Sequence, residues 1–180
     1  MDSSPEVTAR RAELERTAPV AARGAWTRTR LDGAEVLFLC GTIGAEFDCW
    51  QRRLAALSAA DALLSQQIGL DAVEKVMDEL EERARREVEG MREEGRAKSE
   101  EGRAKSEEGR AKSEEGRGKR DEGRGKRVMP RRSPGYGDLP LSLSRTIINE
   151  LDAPRRLGVS ITDSGLLVPS KSVTAICEIV

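Results

Sequence analysis

The fold class predicted for this 180-residue chain is mainly α, a helical hairpin or coiled-coil-like segment, with a charged heptapeptide repeat, extensive disorder and a small β element towards the C-terminus. Three observations predict it. Apolar residues recur at three-and-four spacing between Phe47 and Met91, the period of a helix face. The stretch "EEGRAKSEEGRAKSEEGRAKSEEGRGKRDEGRGKR", 93 to 127, repeats one seven-residue phrase five times with no apolar residue larger than alanine. Finally, of five aromatic residues, Trp26, Phe38, Phe47 and Trp50 lie close together and only Tyr136 lies apart, so a core is expected mainly in 35 to 91. The hydrophobic fraction, 37%, includes 20 alanines, and 35% of the residues are charged. Four segments follow: 1–34 disordered, 35–91 helical, 92–137 a charged repeat with a basic linker, and 138–180 a small C-terminal module.

Residues 1–34 are rich in Arg, Ala, Thr and Pro without a sustained apolar period, so at most a frayed helix is expected near Arg10 to Thr17. "EVLFLC", Glu35 to Cys40, reads equally as a buried strand or a first helical turn. "GTIG", Gly41 to Gly44, then precedes a helix. It lacks the Lys-Ser/Thr of a P-loop and the third glycine of a dinucleotide fingerprint, and Glu46 would repel a phosphate, so a turn is expected there and no nucleotide cofactor.

The first stripe comprises Phe47, Trp50, Leu54, Leu57, Leu64 and Ile68, with Gly69 as its stop. A second begins in a new frame with Leu70, Val73, Met77, Leu80, Ala84 and Met91, and Asp71 with Glu74 resembles a capping box at its start. A break at Gln67 to Leu70 would give an antiparallel hairpin, and an unbroken helix would pair with another chain. The stripe packing on "EVLFLC" within one molecule carries equal weight. The favoured partner is the same chain or another helical protein, through the face Leu70, Val73, Met77, Leu80, Ala84 and Met91.

Within the repeat the inward positions become Glu94, Lys98, Glu101 and Lys105, so an apolar seam ends there. Each Glu–Lys pair contributes about 0.2–0.5 kcal/mol, which roughly cancels the ~1 kcal/mol cost of the glycine in each unit. Gly118 and Gly125 tip the later units towards open chain, from about Gly116 to Gly137. The repeat is expected to be a soluble spacer. Ser99, Ser106 and Ser113 each follow an arginine by three residues, and Ser133 precedes Pro134, so these four are candidate phosphorylation sites.

Charge is uneven along a chain of net charge −1. Residues 71–94 carry ten acids and five bases. Residues 117–132 carry eight bases, Arg117, Lys119, Arg120, Arg124, Lys126, Arg127, Arg131 and Arg132, against Asp121 and Glu122. Such a tract could follow a phosphate backbone without sequence preference, since no aromatic interleaves it to stack on bases.

"RSPGYGDLP", Arg132 to Pro140, is expected to be a linker. Leu141 to Leu151 suggests a short helix, Asp163-Ser164-Gly165 a hairpin turn, and "SVTAICEIV" a further strand. Cys177 stands in a poor prenylation box, because Glu178 is not aliphatic and Val180 is not a usual final residue, so it is a weak candidate for lipidation.

The chain contains no histidine, and Cys40 and Cys49 lie among apolar neighbours, so no nucleophile with a base is evident and neither an enzyme nor a metal site is expected. Three scattered cysteines, no apolar leader and no long apolar run point to an intracellular protein, in cytoplasm or nucleus, with no membrane span. The expected function is a non-enzymatic interaction or scaffold protein. The alternatives are nonspecific nucleic-acid association through 117–132, and no specific activity.

Overall fold

The computed structural model describes residues 4–107 and 127–180, with backbone alone for 91–107. The elements are α1 (Pro5–Thr17), β1 (Arg23–Leu31), β2 (Ala34–Thr42), α2 (Ala45–Leu57), α3 (Ala59–Glu107), α4 (Leu143–Glu150), α5 (Ala153–Leu157), β3 (Ser160–Ile161), β4 (Leu167–Val168) and β5 (Ser172–Glu178). The strands β1, β2 and β5 form an antiparallel sheet with β2 in the middle, and β3 pairs with β4. The mainly helical expectation therefore gives way to an α/β architecture organised around a central strand.

That strand explains its own sequence. Val36, Phe38 and Cys40 point to one face and pack against Ile147, Ile148 and Leu151 of the C-terminal helices. Leu37 and Leu39 point to the other and pack against Met77, Leu80 and Ala84 of α3. A strand covered on both faces shows no alternation of polar and apolar residues, which is why "EVLFLC" reads as a continuous run. The β1–β2 hairpin closes through Asp32 and Gly33 at φ of 50° and 86°, with Leu31 opposite Ala34. Two consecutive positive φ values are what a two-residue turn matching the strand twist requires, and Asp-Gly supplies them.

The first segment is not disordered over its described residues. Leu14 of α1 is buried with Ile43, Phe47, Ile68 and Val73. Arg10 bonds Asp61 at 2.7 Å and Arg11 bonds Asp71 at 2.5 Å, and these guanidinium bonds hold both carboxyls below the usual range. The helix stays in place through one buried leucine and contacts to residues fifty or more positions away, which leave no periodic signal in its own sequence.

The helical break lies at Ser58 rather than at Gln67 to Leu70. Asp71 is not a cap but sits inside α3, and Gly69 is not a stop: a Cβ there would lie 2.7 Å from the Phe47 ring and 2.8 Å from Lys171 Cε. Glycine lets α3 pass close over a fully buried phenylalanine. The association face is also reassigned. Val73, Met77, Leu80 and Ala84 are buried in this chain's own core, Leu70 is half exposed, and the side chain of Met91 lies outside the described residues. The coiled-coil expectation fails because the sheet takes the seam that a second helix would have filled.

Nor is 138–180 a separate module, since β5 inserts beside β2 and supplies Ala175 and Cys177 to one core cluster and Ile176 to the other. The basic linker docks too. Val128 bridges Ile179 and Arg132 bridges Ile176, so 127–132 lies along the outer edge of β5. Open chain through Gly137 is corrected over 127–137, whereas 108–126 lies outside the described residues.

Val88 near the end of the packed part of α3 and Val128 share one core cluster. The chain thus leaves and re-enters the core at one place, with the repeat between. Replacing 92–126 by a short Gly-Ser linker is expected to change unfolding stability by no more than about 1 kcal/mol, because loop-closure entropy varies slowly with length. Urea denaturation of the shortened chain measures it, and a large loss would mean that the repeat packs on the domain.

Candidate binding cavity

A cavity of about 400 Å³ opens where α3, the turn 133–141, α4, the β3–β4 hairpin and β5 meet. Its floor is hydroxyl-rich. Thr174 Oγ1 lies 3.1 Å from Ser144 Oγ, and Ser172, which also lines the cavity, donates to Thr42 Oγ1 at 2.9 Å. Glu74 of α3 and the Ser133–Tyr136 turn form its walls, and Tyr136 is 76% exposed. The turn is shaped by Gly135 and Gly137, at φ of 90° and 64°, with the Gly135 amide donating to the Leu139 carbonyl. The stretch expected to be a linker is therefore a built wall.

Arg131 fixes that wall to α3. Its Nη2 bonds Glu74 at 2.6 Å, and its Nη1 bonds Asp78 at 2.6 Å and Glu81 at 3.0 Å. Glu74, Asp78 and Glu81 are spaced by four and three residues on one helix, so one planar guanidinium reaches all three. Burial opposes the charge on Arg131, yet the bonds to Asp78, Glu74 and Glu81 outweigh it and its pKa is raised. Arg132 bonds Asp138 and Glu178.

The basic tract is divided by this arrangement. Arg117, Lys119, Arg120, Arg124 and Lys126 lie outside the described residues, the backbone of Arg127 pairs with that of Val180, and Arg131 and Arg132 are held by acids. Ser99 and Ser106 lie on the backbone of α3, Ser113 lies outside the described residues, and Ser133 is half-buried in the cavity wall. Cys177 is corrected as a lipidation candidate: it is fully buried in β5, where burial pushes its thiol up to about 12.

Cys40 is likewise buried and pushed up to about 12 by desolvation. Cys49 is exposed, with Arg52 Nη2 at 3.2 Å from its sulfur. A thiol reagent at pH 7.5 is therefore expected to modify Cys49 alone in the native protein and all three cysteines after denaturation. Prompt reaction of two or three thiols without denaturant would contradict this packing. Cys49 also borders a second hollow of about 480 Å³ with Trp50 and Arg53, but that hollow lacks a floor of converging hydroxyls.

Among the described residues no group of three or more His, Cys, Asp or Glu side chains could hold a metal ion, and no helix is long and apolar enough to cross a membrane. Sequence reasoning had no way to assemble the cavity, whose lining comes from positions 74, 133–144 and 165–174.

No protein-family profile matches this chain, and no curated protein matches it. Eight chains among solved structures do match. One, described as a crystal structure of the MetH reactivation domain bound to AdoHcy, superposes with a TM-score of 0.63 at 14% identity, covering 98% of this chain and 67% of that one. At that identity the likeness is one of fold, and it is a likeness to an α/β domain rather than to a coiled coil.

Proposed function

We propose that this protein is a binding module for a polar small molecule of the adenosyl-thioether class, held in the cavity between α3, the 133–141 turn, α4 and β5. The observation that carries the reading is the lining itself: a hydroxyl floor of Ser144, Ser172 and Thr174, a carboxylate wall at Glu74, and an exposed aromatic ring at Tyr136. A volume near 400 Å³ falls within the range of small-molecule sites. An adenosyl thioether with an amino-acid head offers an ammonium for a carboxylate, a diol for hydroxyls and a flat base for an aromatic ring. The fold likeness to a domain solved with AdoHcy supports the same class.

The proposal is of binding without turnover. The cavity hydroxyls bond to other hydroxyls and Glu74, which can share its carboxylate between Arg131 at Oε2 and a ligand ammonium, is paired with a cation rather than with a hydroxyl, so no base is set against a nucleophile there. Three unpaired thiols support an intracellular, reducing setting.

Calorimetric titration of the full chain with AdoHcy tests the proposal. Saturable binding at a stoichiometry near one is expected, weakened about tenfold by Tyr136→Ala, a change at an exposed position that should leave the fold intact. Absence of binding at millimolar AdoHcy, with the circular dichroism of a folded protein, would overturn it.

A further inference from the structure

We infer that the outer edge of β1 is a docking strand for an extended acidic peptide. The strand pairs with β2 through nine consecutive residues, Arg23 to Leu31, without a bulge. The strand order leaves its other side at the sheet margin, and among the described residues no further backbone bond reaches 23–31. Alternate residues therefore direct N–H and C=O groups outward along an edge of roughly 30 Å.

Edges that proteins protect are short, bulged, interrupted by proline or covered. This one is long, regular and free of proline, and its distinguishing feature is charge. Arg23, Arg28 and Arg30 are exposed and the strand contains no acid. Arg28 bonds Glu35 at 2.8 Å, whereas Arg23 and Arg30 make no ion pair among the described residues. The other acids nearby are Asp32 in the turn and Glu150, which accepts from Thr29.

Charge selects the occupant. A second copy of β1 would set six arginines along one ladder with no acid between them, and like charges across a ladder repel. Arg23 points to one face of the sheet and Arg30, seven residues on, to the other, so an extended segment with acids on both of its faces would complete the ladder and reach both arginines, the strand-addition mode of peptide recognition.

The probe is a fluorescein-labelled decapeptide of the repeat Glu-Glu-Val-Val, which carries acids on both faces when extended, titrated into the full chain by anisotropy, with hydrogen exchange read over β1. Saturable binding is expected, with slowed exchange within 23–31 and at least tenfold weakening by the double substitution Arg23→Glu and Arg30→Glu. A peptide N-methylated at alternate residues should not bind. The inference is overturned if the N-methylated peptide binds equally, since charge without a ladder would then suffice. It is overturned too if β1 exchange is unchanged, or if protection appears without peptide and grows with protein concentration, which would identify a second copy as the occupant.

Discussion

Met77→Asp is expected to abolish the cooperative fold. Met77 is fully buried on α3 among Leu37, Leu39 and Ala175, and a Cβ on Gly41 would lie 2.6 Å from its sulfur, so β2 and α3 leave no space there for water. An unpaired carboxylate at such a site costs several kcal/mol even after it takes up a proton, and the lost packing adds to that. A domain of this size has about 5–15 kcal/mol in total. Met77→Ala should instead keep a cooperative transition while losing about 3 kcal/mol, the usual cost of truncating a buried methionine. Urea unfolding of the two variants, with light scattering on each, distinguishes the packing described here from association between chains. If Met77 faced another chain, Met77→Asp would give a folded monomer. A folded Met77→Asp protein would therefore sink the assignment of this face to the core.

The same residue shows what was legible in the sequence. The stripe Val73, Met77, Leu80 and Ala84 was visible, and these residues are buried, but a three-and-four spacing is the same whether the helix lies on a sheet or on another helix. What decides is the partner, and the partner strand was ambiguous because both its faces are covered. A signal that could have settled it stood two residues earlier: Asp32-Gly33 between two nine-residue extended runs is a hairpin turn, and a hairpin makes the apolar run a strand. Arg-rich β1 concealed itself, since its one buried position is the small Ala25.

Local chemistry was legible where its cause is local. The short helix before Pro154, the turn at Asp163 to Gly165 and the last strand all correspond to observed elements, because caps, glycines and β-branched residues act over a few positions. The cavity was not, because its parts meet only after β5 has entered the sheet and Arg131 has reached α3. Ser133-Pro134-Gly135-Tyr136 carries every sign of a linker. Those turn-forming residues make the bend that becomes a wall once both its ends are fixed.

Arg131→Met is expected to loosen that wall without unfolding the domain. The guanidinium is 20% exposed and Glu81 14%, but Glu74 and Asp78 are 55% and 68% exposed. The loss should therefore be about 2 kcal/mol, below the 3–5 kcal/mol of fully buried pairs, because water screens two of the three acids. Removing the cation also leaves three carboxylates at helical spacing on α3, a repulsion that salt relieves, so the deficit should shrink between 50 mM and 1 M salt. Amides at Arg127, Met129 and Arg132, which bond the β5 edge and the residues after it, should exchange faster, while those of β2 should not. Arg131→Lys should recover only part of the loss, since one ammonium cannot present the fork that spans Glu74, Asp78 and Glu81. Binding of AdoHcy should weaken more than tenfold in Arg131→Met, because the Ser133–Tyr136 turn begins two residues beyond the lost anchor. Should exchange over 127–132 stay unchanged in the variant, Val128 and the two backbone bridges alone would hold the strand in place, and the wall would owe its position to the sheet edge rather than to α3.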